Sequence, residues 1–279
     1  MTGMLLTALL GLFAPSGVRV WLNGLASVMF FAVPAYLGLC ETDSDLFTLL
    51  PVRRLSGAQV LWLSVSGALL VCPATLLSDV IAAVITRFAT AFGAQAAAVV
   101  SGAEGASLFL PMLLVSGVIA PVCEEVFFRG YLQGALSRYG AAAAAAMTAL
   151  LFAAVHGFGA DFMVYVLLGL LLSAFVMRTG SVLASAIVHM AYNGAIVALS
   201  ALPLSMLFTG LTPAGCLVRL MGCAGLAYTA KRAWLARGAR EGNREKLTPT
   251  RREMALAITA LVLVLLAQVT AMWAAGGNA

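Results

Sequence analysis

The chain has 279 residues, of which 62% are hydrophobic and 10% are charged, and its mean hydropathy is +1.03. Soluble domains are about 45–50% apolar and about 25% charged, so this composition excludes an ordinary soluble protein. The net charge of +5 does not indicate nucleic-acid binding, because eight of the sixteen Lys and Arg residues lie in one stretch, 231–252. The composition predicts an all-α integral membrane protein.

Apolar runs long enough to cross a hydrocarbon core of about 30 Å predict a polytopic bundle of about eight transmembrane helices. We predict the spans at 18–40, 58–85, 106–138, 142–158, 161–177, 181–201, 206–230 and 254–275. The third span would measure about 50 Å, so we expect it to tilt, bend or leave the bilayer, with Pro121 at the bend. The apolar first fourteen residues lack a positively charged start, which favours an interfacial helix over a cleaved signal peptide.

The spans divide the chain into three regions. Residues 1–105 hold two spans and the apolar N-terminal segment, 106–201 hold four spans, and 202–279 hold two spans and a basic loop at 231–253. Lys and Arg concentrate in alternate loops, as they do on the cytoplasmic side of membrane proteins. We therefore predict a cytoplasmic basic loop and both termini outside. The composition resembles that of bacterial proteins, so we expect the membrane to be a bacterial plasma membrane.

Placing an ionisable residue in the membrane costs about 2.5–3.5 kcal/mol of insertion free energy. An ionisable residue within an apolar span therefore suggests a functional site. Both histidines of the chain, His156 and His189, lie in or at the end of such spans. The other ionisable residues of this kind are Asp79, Glu124, Glu125, Arg129 and Arg219.

Counting helical rise places several of these residues at one depth. Glu124 lies about 21 Å above the turn near Arg138, and His156 lies about 21 Å above residue 142. His189 and Asn193 lie about 15 and 21 Å above residue 179, and their i, i+4 spacing puts them on one helix face. The sequence therefore allows three helices to bring these side chains together.

The two adjacent glutamates have different predicted partners. Glu125 and Arg129 have the i, i+4 spacing of an ion pair along a helix. Glu124 points about 100° away and has no such partner, so it is the better candidate for a general base.

A carboxylate beside an imidazole can deprotonate water, and a second His and an Asn can stabilise an oxyanion, which together suit amide hydrolysis. The sequence contains neither GxSxG nor HExxH. Two histidines and a glutamate are also a possible set of zinc ligands, namely Glu124, His156 and His189. The sequence does not require a divalent metal such as zinc, and the cofactor stays open.

Three motifs in order resemble those of the CAAX protease and bacteriocin-processing (CPBP) family of intramembrane proteases. EEVFFR at 124–129 resembles EExxxR, FAAVH at 152–156 resembles FxxxH, and HMAYN at 189–193 resembles HxxxN. The resemblance implies a bundle of about eight helices whose catalytic core is 106–201, and an endopeptidase that cuts a membrane-associated protein or peptide.

The resemblance also implies roles for the motif residues. Glu124 and His156 would activate water, and His189 and Asn193 would stabilise the oxyanion. Glu125 and Arg129 would orient the motif helix, and Phe152 would pack beside the site. The implied partners are a peptide or membrane-protein substrate and the lipid bilayer, with no nucleic acid.

Two alternative functions are compatible with the sequence. The first is a non-enzymatic immunity or scaffold protein of the same fold, which binds a peptide or partner. The second is a transporter in which Asp79 and Arg219 are charges of a transport pathway, although structural roles for both are favoured.

Overall fold

The computed structural model describes residues 15–40, 50–91, 108–159, 161–201 and 207–236. Within these ranges the chain forms helices and no β-strand, so the predicted all-α class is confirmed. We number the described helices α1 (16–40), α2 (57–91), α3 (109–139), α4 (Ala141–His156), α5 (Phe162–Thr179), α6 (Val182–Ala201) and α7 (Pro213–Leu235).

Five of the described helices, α1, α2, α3, α5 and α6, are long and apolar enough to cross a membrane, as expected of an integral membrane protein. The fourth, α4, has only 16 residues, about 24 Å, and is shorter than the hydrocarbon core. The predicted eighth span, the N-terminal apolar segment and most of the basic loop lie outside the described residues. The count of eight spans therefore stays a prediction, as do the three regions and the orientation.

The seventh helix begins later than predicted. It starts at Pro213 rather than near residue 206, and it continues to Leu235. Gly210 adopts a left-handed φ of 72°, and the Thr212 hydroxyl accepts a hydrogen bond from the Gly215 amide at 3.1 Å. A positive φ interrupts helical geometry, whereas a Thr N-cap followed by Pro favours a helix start.

Small residues bring the helices of the bundle close together. At the crossing of α4 and α5, a Cβ added to Gly169 would lie only 2.8 Å from the Ala149 Cα. Such contacts let transmembrane helices approach at backbone distance, where dispersion forces are strongest. The α4–α5 crossing fixes the position of α4, which carries Phe152 and His156 of the predicted site.

Helix α3 is widened at two places rather than broken. π-helical segments at Val115–Ile119 and Val126–Leu132 flank the α-helical turn Ala120–Glu125. Pro121 lies two residues after the first of these π-helical segments, and the bend predicted at this proline stays a prediction. Each π-helical segment rotates the residues after it relative to a regular helix, which changes the directions in which the motif side chains point.

An ion pair joins α7 to α2. Arg219 is fully buried, and its Nη1 lies 2.6 Å from Asp79 Oδ2. The guanidinium also donates to the carbonyls of Gly215 and Gly210 on or just before its own helix. These contacts support the structural role that the sequence favours for the two charges.

We expect Asp79→Ala to lower the free energy of unfolding by about 1–3 kcal/mol, because Arg219 would lose its charged acceptor but keep two carbonyls. Unfolding of the purified protein in detergent micelles measures this change. The matched control is Asp161→Ala, which removes an exposed acid near the same end of α2. Equal losses in the two variants would show that the Asp79–Arg219 pair does not stabilise α7.

Candidate active site

Three side chains from three helices converge within the bundle. Glu124 Oε2 on α3 lies 3.8 Å from His156 Nε2 at the end of α4 and 3.9 Å from His189 Nε2 on α6. Glu124 Oε2 is buried and has no hydrogen-bond partner in the protein. The common depth predicted for these residues therefore corresponds to a real meeting point.

The hydrogen bonds of the two imidazoles set which ring nitrogen is free. His156 Nδ1 lies 2.8 Å from the Phe152 carbonyl, and His189 Nδ1 lies 2.9 Å from Glu125 Oε1. Both partners are acceptors, so each Nδ1 carries a hydrogen and each neutral ring has its lone pair on Nε2. Both lone pairs therefore face the Glu124 carboxylate.

Glu125 forms the ion pair predicted from its spacing to Arg129. Arg129 Nη1 lies 2.6 Å from Glu125 Oε1, and both side chains are fully buried. Arg129 Nη2 donates to the Gly169 carbonyl on α5 at 3.3 Å, and its guanidinium stacks 4.4 Å above the Phe152 ring. Because Glu125 also bonds His189, this pair links α3 to α5 and α6.

Asn193 bonds α3 at a carbonyl that Pro121 leaves without its helical donor. In the π-helical segment the amide of Ala120 bonds the carbonyl of Val115, five residues earlier. The next donor in this pattern would be residue 121, but proline has no N–H, so the Ser116 carbonyl is left free. Asn193 Nδ2 donates to that carbonyl at 2.9 Å.

We expect Asn193→Ala to cost more stability in the natural sequence than in a Pro121→Ala background. In the natural sequence the Ser116 carbonyl would lose its partner, at about 1–3 kcal/mol. In the Pro121→Ala background the new N–H of residue 121 can bond that carbonyl instead. Unfolding of the four proteins in detergent measures the difference, and an equal cost of Asn193→Ala in both backgrounds would contradict this account.

The structure adds Tyr165 to the site. Its ring on α5 stacks on His156, with centroids 4.4 Å apart and planes inclined by 28°. Phe152 contacts the other histidine, with its ring centroid 5.6 Å from that of His189. Tyr165 belongs to none of the three motifs, and its sequence position gives no signal of this contact.

The spacing of the three side chains does not fit a zinc site. Ligand atoms around tetrahedral zinc lie about 3.4 Å apart, given bonds of about 2.0–2.1 Å, whereas Glu124 Oε2 lies 3.8 and 3.9 Å from the two Nε2 atoms. Among the described residues no group of three His, Cys, Asp or Glu side chains has the geometry of a metal site. The donor atoms suit a cation chemically, but the two separations from Glu124 Oε2 are wider than those between zinc ligands.

Residues 106–195 match the family model described as type II CAAX prenyl endopeptidase Rce1-like. This segment contains all three motifs, so the resemblance inferred from them is confirmed at the level of the family. Neither a curated protein nor a solved structure matches the chain. The family supports a membrane-embedded endopeptidase of the CAAX type whose substrate is a membrane-associated peptide or protein.

Proposed function

We propose that this chain, which matches the Rce1-like family over residues 106–195, hydrolyses a peptide bond of a membrane-associated protein or peptide with water activated by Glu124 and His156. The observation that carries this proposal is the convergence of Glu124 Oε2 with the Nε2 atoms of His156 and His189. A carboxylate with no hydrogen-bond partner of its own, next to two imidazole lone pairs, is suited to binding and deprotonating water.

The first step is attack of water on the scissile carbonyl. Glu124 accepts one proton from the water, and the His156 lone pair accepts a hydrogen bond that orients it. The Nδ1 hydrogen bond to the Phe152 carbonyl and the stacked Tyr165 ring hold the imidazole in place. The new carbon–oxygen bond gives a tetrahedral intermediate with negative charge on the former carbonyl oxygen.

The oxyanion requires donors that are fixed before the reaction. His189 Nε2 holds a lone pair in the neutral ring, so in this proposal it first takes up a proton from bulk water and then donates to the oxyanion. Glu125, which accepts from Nδ1 of the same ring, stabilises the resulting imidazolium. Asn193 has two amide hydrogens, of which one bonds the Ser116 carbonyl, and we propose that the other donates to the oxyanion.

Collapse of the intermediate breaks the carbon–nitrogen bond. The proton held by Glu124 moves to the leaving amine, which regenerates the carboxylate for the next turnover. Glu125 and Arg129 do not take part in this proton transfer. They position His189 and α3 through the buried ion pair.

The proposal is tested by reconstituting the purified protein in liposomes with membrane peptides and following new peptide termini by mass spectrometry. We expect His156→Ala to lower cleavage by a factor of about 10²–10⁴, the usual contribution of a group that assists proton transfer. Cleavage by this variant at the natural rate would remove His156 from the mechanism.

A further inference from the structure

Buried polar atoms without partners cluster in the interior of α3, α4 and α5. Six side-chain N or O atoms of the described residues are buried and have no hydrogen-bond partner, and all six lie on these three helices. Three belong to the charged residues of the site, and the others are Gln133 Oε1, Thr148 Oγ1 and Ser173 Oγ. Because about nine in ten buried polar groups in proteins bond either protein or ordered water, this concentration indicates a bound partner.

Gln133, Thr148 and Ser173, which we call the polar layer, come from three different helices. Thr148 and Ser173 are fully buried, and Gln133 is 7% exposed. Gln133 lies one helical turn beyond Arg129 on α3, on the side away from Glu124. Counting helical rise from the turn near Arg138 places Gln133 and Thr148 at about the same depth.

Contacts at the α4–α5 crossing bring Ser173 to the same part of the bundle. Arg129 Nη2 bonds the Gly169 carbonyl, and Gly169 lies against Ala149, the neighbour of Thr148. Ser173 follows Gly169 by one turn and shares its helix face. Each residue of the polar layer therefore lies one helical turn from Arg129 itself or from Phe152 or Gly169, which contact its guanidinium. Arg129 Nε also has no hydrogen-bond partner.

The hydroxyls of the polar layer do not bond their own helices, unlike other hydroxyls of this bundle. Ser66, Thr75 and Thr179 each donate to the carbonyl four residues earlier, at 2.6–2.7 Å. Thr148 and Ser173 make no such bond, and the carbonyl four residues before Ser173 already accepts from Arg129. Their hydroxyls are therefore available to a ligand.

The uncharged donors and acceptors of the polar layer favour a small neutral ligand. Its three side chains carry no charge, and its free atoms include the acceptor Gln133 Oε1 and two hydroxyls that can donate or accept. Arg129 Nε adds a donor. The close approach of α4 and α5 at Gly169 and Ala149 leaves no space for a bulky group there. Water satisfies mixed donors and acceptors in a small polar space.

We propose that the polar layer binds water molecules, which join Arg129 Nε to Gln133, Thr148 and Ser173. The bound water completes the hydrogen bonding of the guanidinium, so the ion pair with Glu125 is held by both protein and solvent. This inference does not rest on the proposed catalytic function, and its test uses no measurement of peptide cleavage.

The first test compares thermal unfolding of variants in detergent micelles. Thr148→Val keeps the side-chain shape and removes the hydroxyl, and Thr75→Val on α2 is the matched control. We expect Thr148→Val to lower the melting temperature by about 2–4 °C more than the control, because the water would lose one of its partners. Adding Ser173→Ala to Thr148→Val should lower it little further, because both residues bind the same water. An unchanged or raised melting temperature in Thr148→Val would show that the polar layer binds no water and would overturn the proposal.

The second test observes the water directly in an experimental structure of the natural protein at a resolution that shows ordered solvent. We expect density within hydrogen-bonding distance of both Thr148 Oγ1 and Ser173 Oγ. Absence of density there, with the side chains well defined, would overturn the proposal even if Thr148→Val fails to fold.

Discussion

Glu124→Gln is expected to lower peptide cleavage by a factor of about 10²–10⁴, the contribution of a positioned general base. The amide has nearly the shape of the carboxylate but cannot accept a proton from water. The measurement is kcat/KM for a membrane peptide substrate, determined with purified protein in liposomes. Because Glu124 is the only carboxylate that faces both imidazole lone pairs among the described residues, we expect no other group to replace it.

The variant should fold at least as well as the natural protein. Glu124 Oε2 is buried without a hydrogen-bond partner, and an amide at this position would offer N–H groups to the two Nε2 lone pairs. The matched control is Asp161→Asn, the same chemical change at an exposed acid. Equal cleavage by Glu124→Gln and this control would end the assignment of Glu124 as the base.

Arg129→Met is expected to lower the free energy of unfolding by about 3–5 kcal/mol, because it would leave the buried Glu125 carboxylate without its cation. Both members of the pair are fully buried, so water cannot replace the lost partner at the surface. Methionine retains much of the side-chain volume and the contact with Phe152. Unfolding in detergent measures the loss, and Arg138→Met, at an exposed position near the end of α3, is the control.

A second substitution separates unpaired charge from lost packing. Glu125→Gln in the Arg129→Met background removes the buried charge, so we expect the double variant to regain part of the lost stability. The variant with both changes should still cleave poorly, because the new amide would not stabilise a protonated His189 in the way that a carboxylate does. A double variant no more stable than Arg129→Met would show that packing, rather than charge, accounts for the loss.

Helical spacing and rise were sufficient to predict the main contacts of the site. The i, i+4 spacing of Glu125 and Arg129 predicts their ion pair, and counting rise from the α3–α4 turn predicts that Glu124 and His156 lie at one depth. Both predictions depend on distance along an axis, which one sequence specifies well. The packing of Phe152 beside the site was implied by the resemblance of FAAVH to FxxxH, and its ring centroid lies 4.5 Å from that of His156.

Contacts that depend on rotation about a helix axis could not be predicted in the same way. His189 bonds Glu125 as well as facing Glu124, and Tyr165 stacks on His156, although both histidine-bearing helices are apolar on nearly all sides. An apolar surface gives no pattern from which a rotation can be inferred. The π-helical segments in α3 add further rotation, because each accommodates an extra residue in a turn. The bond from Asn193 to Ser116 arises from one such segment.

The most direct test of the central claim is a comparison of peptide termini in membranes from cells that carry the natural protein or Glu124→Gln at equal abundance. Quantitative mass spectrometry of these membranes should find a set of new termini that require Glu124. Incubation of the isolated membranes in ¹⁸O-labelled water should place the label in the new carboxyl groups, as hydrolysis requires. The same termini in both samples, at the same abundance, would contradict the proposal that Glu124 activates water for peptide hydrolysis.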